Sequence, residues 1–310
     1  MTQSSPLLRI GTRGSPLALA QAHMVRDALA AVGRLDPARI EIVTFRTTGD
    51  RIQDRTLAEA GGKGLFTKEI EEALLTGAVD LAVHSAKDMP TQLPAGLTIG
   101  AAMPREDPRD AFICRKAANL AALPPGAVVG TASLRRQAQV KALRPDLRVE
   151  PMRGNVETRL RKLAAGEADA TLLALAGLKR LGLDYEATAI LPIEEFLPAV
   201  GQGIVAIETR ADDAATRDHV EAINDLRSAV ALMAERAFLT ILDGSCRTPI
   251  AGFASVSGDD VLFRGQIVKP DGSESHATSR AGTIADAVAL GADAGRELRS
   301  RASADFFSAV

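Results

Sequence analysis

Two residues with reactive side chains, Cys246 and Asp88, have local contexts that could support chemistry. Cys246 is one of two cysteines in 310 residues, and it lies in the run 243–249 between a predicted helix and predicted strands. A thiol on such a turn, next to an arginine, is a candidate nucleophile or attachment point, although a small buried corner residue fits as well. Asp88 follows a predicted strand, where its carboxylate could stabilise a cation, transfer protons, or simply cap a helix in a surface ion pair.

The segment 130–162 is strongly basic, although the whole chain has a formal net charge of −2. It contains nine basic and three acidic residues, a net charge of +6. Arg135 and Arg136 fall in the first turn of a predicted helix, where cations oppose the helix dipole, so we expect an anionic partner for them. Arginine forks suit carboxylate or phosphate groups, and a solvated helix face accounts for part of the remaining charge.

Other site patterns fit the sequence poorly. Lys63 lacks the upstream glycine and the following Ser or Thr of a phosphate-binding loop. The run 201–206 has the glycine spacing of a dinucleotide fingerprint, but it leads into a predicted strand rather than a helix. The four histidines show no metal-ligand spacing, so we expect no metal site. A Cys–His hydrolase built from His84 and Cys246 is a further, less favoured alternative.

The composition is that of an ordinary globular protein, with 46% hydrophobic and 25% charged residues. The small net charge, the absence of Trp and the single Tyr argue against nucleic-acid and membrane-surface partners. The sequence shows no signal-peptide pattern and no apolar run long enough to cross a bilayer. Since Cys114 and Cys246 are far apart, a reducing compartment is indicated, and we expect a cytoplasmic protein.

Strands and helices alternate along the first two-thirds of the chain. Strands are predicted at 7–11, 39–48, 79–84, 128–130, 170–175 and 204–208. Ser15 and Ser133 each precede a predicted helix as N-caps, and the sequences around them resemble a weak internal repeat. This order favours two parallel α/β units, in which ligands bind beyond the carboxyl ends of the strands, at helix N-termini. Two such domains would form a cleft that attracts anions.

The last part of the chain has a different pattern. Short alternating stretches at 247–281 are interrupted by turn residues, which predicts an antiparallel meander. Thr283 and Asp286 form a capping-box pattern for a final helix. A third, smaller α+β domain is therefore expected, with Cys246 at its beginning.

A series of short motifs then identifies a family. In chain order they are Gly11-Thr12-Arg13, Gly62-Lys63-Gly64-Leu65-Phe66, His84-Ser85-Ala86-Lys87-Asp88, Arg105-Glu106-Asp107-Pro108-Arg109-Asp110-Ala111, Ser133-Leu134-Arg135-Arg136, Arg153-Gly154-Asn155, Ala176-Gly177-Leu178-Lys179-Arg180, Val200-Gly201-Gln202-Gly203 and Cys246. Their order resembles that of the porphobilinogen deaminase (hydroxymethylbilane synthase) family over essentially the whole chain. Each motif alone is weak, whereas the combination is very specific.

The resemblance implies an α/β fold with two type II periplasmic-binding-protein-like domains plus a C-terminal α+β domain with a small antiparallel sheet. Domain 1 would be discontinuous, formed by 1–103 and 204–222. Domain 2, rich in arginine, would span 104–203, and domain 3, with Cys246, would span 223–310. A monomer is implied as well.

The implied activity is that of a transferase. Four porphobilinogen molecules are joined head to tail onto a covalently bound dipyrromethane with loss of ammonia, and linear hydroxymethylbilane is then released by hydrolysis. The resemblance implies that Cys246 holds dipyrromethane through a thioether and that Asp88 is the catalytic carboxylate. Loss of ammonia leaves an electron-poor methylene-pyrrole cation, which a carboxylate at the pyrrole N–H groups would stabilise.

The resemblance implies two further sets of binding residues. Besides Cys246 and Asp88, the cofactor-binding set is Ser85, Lys87, Thr131, Ser133, Arg135, Arg136, Arg153, Gly154 and Arg159. The substrate-binding set is Arg13, Ser15, Lys63, Asn155 and Gln202. Their charges suit porphobilinogen, whose acetate and propionate groups accumulate as the chain grows.

Three positions depart from the family pattern, and two other functions stay open. Glu59, Ala132 and Ser245 stand where the family usually has Lys, Ser and Gly. Glu59 reverses the charge at one position of the loop near Lys63, which weakens anion binding there, and Ala132 removes a hydroxyl near Ser133. A non-enzymatic two-domain anion-binding protein would share the cleft without needing Cys246, and a nucleic-acid binder would use the basic segment.

Overall fold

The computed structural model describes residues 7–32, 35–51, 64–242, 249–303 and 306. The strands are β1 Leu8–Arg13, β2 Ile40–Phe45, β3 Leu81–Ser85, β4 Leu97–Ala102, β5 Asp110–Cys114, β6 Val128–Gly130, β7 Arg148–Glu150, β8 Ala170–Ala174, β9 Ala189–Ile190, β10 Val205–Arg210, β11 Ile250–Ser257, β12 Asp260–Val268 and β13 Ser275–Thr283. The α-helices are α1 Pro16–Ala31, α2 Thr48–Arg51, α3 Lys68–Leu75, α4 Leu134–Leu143, α5 Val156–Ala164, α6 Leu175–Arg180, α7 Ala214–Glu221, α8 Leu226–Ile241 and α9 Ala287–Arg301. Short 3₁₀ turns lie at Pro37–Arg39, Ala86–Asp88, Asp184–Glu186 and Ile284–Asp286.

The described residues divide into two compact units. Unit 1 contains those within Met1–Ile52, Gly62–Glu106 and Ile204–Ala229, and unit 2 contains those within Asp107–Gly203 and Val230–Val310. The predicted strand at 204–208 overlaps β10, which begins at Val205 and pairs with β3 and β4 in unit 1. The division into three domains at the boundaries given above stays a prediction.

Each unit contains one five-stranded mixed sheet, and the two sheets have the same arrangement. Their strand orders are β2-β1-β3-β10-β4 and β7-β6-β8-β5-β9. In both sheets the first three strands run parallel and the fourth, β10 or β5, runs antiparallel to its neighbours. The predicted α/β architecture is therefore confirmed, but the expectation of parallel sheets is wrong for the fourth strand of each sheet, which runs antiparallel to both neighbours.

Side chains alternate between the two faces of these sheets because successive strand residues point in opposite directions. On β3, Leu81 and Val83 join a core that includes residues of α1 and α7, whereas Ala82 joins a core with α3. On β5, Phe112 contributes to the core on one face, and Ile113 contributes to the core on the other. Both sheets are thus covered by helices on both faces.

The predicted meander is confirmed as the antiparallel sheet β11-β12-β13. One of its faces packs on α8 and α9 through a core that includes Phe238 and Phe263, whose ring centroids are 5.0 Å apart. Thr283 and Asp286 form the predicted capping box before α9. Within the described part of the chain, the helices are too short or too polar to span a lipid bilayer.

Local structure departs from the sequence prediction mainly at the ends of elements. The strand predicted at 39–48 stops at Phe45, and α2 begins at Thr48. The strand predicted at 79–84 begins at Leu81 and includes Ser85. Asp50, which lies in α2, bonds to the backbone N–H and the hydroxyl of Thr47 and so favours a turn there over a continued strand.

Candidate functional site

In unit 1, the carboxyl ends of β1 and β3 bring predicted site residues to one edge of the sheet. β1 ends at Arg13, β3 ends at Ser85, and the turn Ala86–Asp88 follows directly. The first N–H of this turn donates to the carbonyl of Ile204 at 3.0 Å, which fixes the start of the turn. The Asp88 side chain is 35% exposed, so its carboxylate is open to a ligand while the backbone before it is held.

The predicted serines of this edge also support the local fold. Gln21 Nε2 donates to Ser85 Oγ at 2.9 Å. Ser15 Oγ accepts from the N–H of Ala18 at 3.3 Å and caps α1, as the sequence predicted. A ligand role for Ser15 or Ser85 would therefore be additional to a structural one.

Arg13 contacts two carboxylates and an aromatic ring. Its Nε donates to Asp50 Oδ2 at 3.3 Å, and its Nη2 pairs with the other oxygen of Asp50. Its Nη1 is 4.0 Å from Asp88 Oδ2, and the guanidinium lies 4.3 Å from the ring centroid of Phe66. Burial alone would raise the pKa of Asp50, but the hydrogen bonds and charge of Arg13 outweigh this effect and lower it. Arg13 is thus neutralised mainly by Asp50, and Asp88 forms only the longer ion pair.

In unit 2, the corresponding edge lies at the carboxyl end of β6. Thr131 follows this strand, and its backbone N–H donates to the carbonyl of Glu150 at 2.9 Å. The Oγ1 of Thr131 accepts from the N–H of Ser133 at 3.2 Å. Ser133 Oγ accepts from the N–H of Arg136 at 3.4 Å, so Ser133 is the N-cap of α4, as predicted.

Arg135 and Arg136 are both buried, and they share one carboxylate, that of Asp110. Arg135 Nη2 is 2.7 Å from Asp110 Oδ2, and Arg136 Nη2 is 2.7 Å from Asp110 Oδ1. Each guanidinium also donates from Nη1 to a backbone carbonyl, that of Leu197 for Arg135 and that of Leu172 for Arg136. The anionic partner expected from the sequence is therefore supplied, at least in part, by the protein itself.

This cluster of Asp110, Arg135 and Arg136 retains an excess of positive charge. Burial alone would raise the pKa of Asp110, but the charges and hydrogen bonds of the two arginines lower it well below its usual range. Burial lowers the pKa of Arg135, yet an arginine stays protonated in proteins. Two cations and one anion leave one positive charge, and Arg135 Nε is buried without a hydrogen-bond partner among the described residues. The cluster is therefore suited to a further anionic group.

Gln202, which was predicted to bind substrate, is 1% exposed. Its Nε2 donates to Asp110 Oδ1 at 3.0 Å and to the carbonyl of Pro108 at 2.6 Å. These contacts hold the carboxylate of the arginine cluster in place. A direct contact between Gln202 and substrate stays a prediction.

The run from Arg153 to Arg159 enters α5 through a conformation that requires glycine. Gly154 has φ +122°, and a Cβ there would lie 2.5 Å from Thr158 Cγ2. Asn155 Oδ1 accepts from the N–H of Thr158 at 2.8 Å and caps the helix. Arg159 Nε donates to the carbonyl of Gly154 at 2.8 Å. Gly154 thus shapes the turn that carries Arg153 and Asn155 at the helix N-terminus.

Comparison with known proteins adds to this geometry. The family model "Porphobilinogen deaminase, dipyromethane cofactor binding domain" matches residues 8–218, and "Porphobilinogen deaminase, C-terminal domain" matches residues 229–300. The chain belongs to the porphobilinogen deaminase family. It is 64% identical over 302 residues to the porphobilinogen deaminase of Nitrobacter hamburgensis, covering 97% of this chain and 96% of that protein. It is 56% identical over 300 residues to that of Paracoccus denitrificans, again with 97% and 96% coverage.

Membership of this family gives the reaction and the cofactor. The protein is a transferase that condenses four porphobilinogen molecules onto dipyrromethane with loss of ammonia and then releases linear hydroxymethylbilane. The predicted activity, substrate and cofactor are thereby confirmed. The arrangement in unit 2 fits this cofactor, because the excess positive charge of the arginine cluster and the unpartnered Arg135 Nε suit a group rich in carboxylates.

The chain is also similar to solved structures of more distant proteins. They include a putative methionine-binding lipoprotein of Bacillus subtilis, with a TM-score of 0.45, 12% identity and coverage of 70% of this chain and 90% of that one. The methionine-binding protein MetQ gives a TM-score of 0.43 at 16% identity, with coverage of 70% and 89%.

Some predicted residues lie outside the described part of the chain, and some structural ones were not predicted. Cys246, Lys63, Glu59 and Ser245 belong to the first group. The roles of Asp50 and Asp110 belong to the second, although the anion expected beside Arg135 and Arg136 was a usable signal for Asp110. Among the described residues, no group of three His, Cys, Asp or Glu side chains is arranged to hold a metal ion.

Proposed function

We propose that Asp88 is the carboxylate that stabilises the cation formed from porphobilinogen in each condensation. The main support for this role is the arrangement of charges at the edge of unit 1, where Asp88 follows β3 with a partly exposed side chain. Its neighbour Arg13 is already paired with Asp50, so Asp88 keeps its negative charge available to a ligand. A carboxylate whose position is fixed before the reaction stabilises a developing cation without the cost of reorganising solvent.

The Asp88→Asn variant tests this role because it keeps the shape of the side chain and removes its charge. We expect the rate of chain elongation in the cofactor-loaded enzyme to fall on the order of 100-fold or more, as when one preorganised electrostatic group is removed. Rapid-quench measurements of each elongation step would show the loss. Asp27→Asn, at an exposed ion pair of the same unit, is the matched control and should leave the rate unchanged. Normal elongation by Asp88→Asn would refute the assignment.

The cationic and hydroxyl groups of unit 2 are proposed to bind the carboxylates of the growing chain. Arg135 and Arg136 provide excess positive charge in the first turn of α4, and Thr131 and Ser133 come just before the same helix. Arg153, Gly154, Asn155 and Arg159 form the N-terminus of α5, where the helix dipole also favours anions. Ser85 and Lys87, at the edge of unit 1, are proposed to bind the cofactor. Arg13 and Ser15 of the same unit are proposed to bind substrate, as is Lys63, which lies outside the described residues.

Cys246 is proposed to anchor dipyrromethane through a thioether. When bound, dipyrromethane supplies the pyrrole to which the first substrate molecule is joined. The intact protein should carry a mass adduct of two pyrrole units, which Cys246→Ser should lack. Cys114, the other cysteine of the chain, is buried, and Cys114→Ser should retain the adduct. An adduct that persists in Cys246→Ser would exclude the anchor.

We further propose that the enzyme works as a cytoplasmic monomer without nucleic-acid or membrane partners. The small net charge and the scarcity of aromatic residues argue against nucleic-acid and membrane-surface partners. The cytoplasmic location rests on the two widely separated cysteines, and the monomer rests on the family resemblance. Light scattering after size exclusion should give the mass of one chain at assay concentration. Binding to DNA with a steep salt dependence would contradict the proposed absence of nucleic-acid partners.

A further inference from the structure

A second group of buried ionisable residues lies in unit 1, between the first sheet and α3. His84 of β3 and Glu208 of β10 are joined by a contact of 3.1 Å between Nε2 and Oε2, and their side chains are 3% and 0% exposed. Glu71 of α3 is 6% exposed and interacts electrostatically with both His84 and Glu208. Since a carboxylate can only accept, Nε2 of His84 is the donor in this contact.

The polar groups of this cluster are poorly compensated. Glu208 Oε1 and Glu71 Oε1 are buried without a hydrogen-bond partner among the described residues. Burial, together with the charge of Glu208, raises the pKa of Glu71, which favours its neutral form. The surrounding core is apolar and includes Ile70, Leu74 and Ala82. Apolar side chains of similar volume would fill this space at lower cost, so folding alone does not account for the cluster.

The cluster lies directly beneath the turn that carries Asp88. His84 immediately precedes Ser85, the last residue of β3, and the turn Ala86–Asp88 begins at the next residue. In the ladder between β3 and β10, Ala206 is opposite His84 and Glu208 is opposite Ala82. The contact from His84 to Glu208 therefore ties the two strands together diagonally, close to the point where the backbone leaves the sheet.

We propose that His84 and Glu208 are positioning residues, whose hydrogen bond fixes the end of β3 and thereby the placement of Asp88 for the reaction. This inference rests on the proposed role of Asp88. The link acts through the backbone, because His84 is buried and lies on the sheet face toward α3. A small displacement of Asp88 matters because its carboxylate must meet a charge that develops at a defined place in the transition state.

Two variants at Glu208 separate positioning from packing. Glu208→Gln keeps an oxygen that can accept from His84, whereas Glu208→Leu has a similar volume and no acceptor. For cofactor-loaded enzyme, we expect kcat of Glu208→Leu to fall about 10- to 100-fold with little change in KM. We expect Glu208→Gln to stay within about 3-fold of the unmodified enzyme, because the hydrogen bond is retained. Mass spectrometry measures cofactor loading, so that rates are compared per loaded enzyme.

A double-mutant cycle with Asp88→Asn identifies the route of the effect. If the cluster acts through Asp88, Glu208→Leu slows the reaction much less in the Asp88→Asn background. An equal loss in both backgrounds, or a normal kcat for Glu208→Leu, would overturn the inference. Normal turnover by Asp88→Asn alone would instead overturn the proposed role of Asp88, so the two failures are distinct.

A second pair of variants covers the case in which Glu208→Leu does not fold. His84→Gln places an amide N–H near the position of Nε2 and should retain turnover, whereas His84→Leu removes the donor and should lose it. Thermal unfolding monitors each variant. If His84→Gln and His84→Leu turn over equally, the hydrogen bond has no role in the reaction.

Discussion

The two five-stranded sheets share one strand order, yet each contains a buried charge cluster of opposite character. Both clusters use a carboxylate on the antiparallel fourth strand, Asp110 on β5 and Glu208 on β10. Asp110 faces two guanidinium groups, and the cluster has an excess positive charge. Glu208 contacts His84 and lies near a second carboxyl group, that of Glu71, whose pKa is raised by burial and by the charge of Glu208.

The two carboxylates also lie at different distances from the carboxyl ends of the parallel strands in their sheets. Asp110 is opposite Ala174, the last residue of β8, and thus lies at the carboxyl edge where ligands bind. Glu208 is opposite Ala82, three positions before the end of β3. The same scaffold therefore places one cluster at the ligand edge and the other within the layer beneath it.

Asp110→Asn is expected to have the largest effect on stability. It would leave two buried arginines without an anion, which costs about 3–5 kcal/mol when one partner of a buried pair is removed. Denaturant unfolding measures the loss, and cofactor loading should fall with it. Asp146→Asn, at the more exposed pair with Arg144, is the control and should leave the free energy of unfolding nearly unchanged. Similar losses for the two variants would remove the contrast between buried and surface pairs.

Glu71→Leu is expected to act in the opposite direction. It removes a buried carboxyl with an unpartnered oxygen and should stabilise the protein by about 1 kcal/mol near neutral pH. Calorimetry at several pH values, compared with the unmodified protein, would show the gain.

The pH dependence distinguishes the clusters further. The pKa of Glu71 is raised in the folded state, so its contribution to stability is full below the unfolded pKa of about 4.3 and is lost as pH rises through the folded pKa. The stability advantage of Glu71→Leu should therefore grow as pH rises.

The pKa of Asp110 is lowered in the folded state, so its contribution to stability is full above the unfolded pKa of about 3.9 and is lost as pH falls through the folded pKa. The defect of Asp110→Asn should shrink in acid. Parallel pH trends would show that the clusters are not opposed.

The last comparison concerns the two equivalent helix caps. Ser15 caps α1 after β1, and Ser133 caps α4 after β6. Replacing either serine with Ala should cost about 1 kcal/mol in unfolding experiments. If Ser133 also binds the cofactor, only Ser133→Ala should reduce loading, and equal loading in both variants would limit Ser133 to a structural role.

Local sequence signals predicted the elements, whereas the charge clusters depend on distant pairings. Ser15 and Ser133 were recognisable as caps because a cap acts within one turn. Asp110 and Arg135, which form a hydrogen bond, are 25 residues apart in the sequence, and His84 and Glu208 are 124 residues apart. No periodicity encodes such contacts, and they become visible only when the strand order is known. The sequence nevertheless required an anion beside Arg135 and Arg136, although it did not identify Asp110.

The position of β10 has a consequence for synthesis of the chain. In the first sheet β10 lies between β3 and β4, so the partner of β4 among the described strands follows it by about a hundred residues. The second sheet is complete once residues 110–190 are available. On the ribosome, the later part of the chain can therefore finish its sheet before the earlier part, contrary to the usual N-terminal-first order. Until β10 emerges, β3 and β4 have open edges, and truncation before residue 205 should leave an aggregation-prone product.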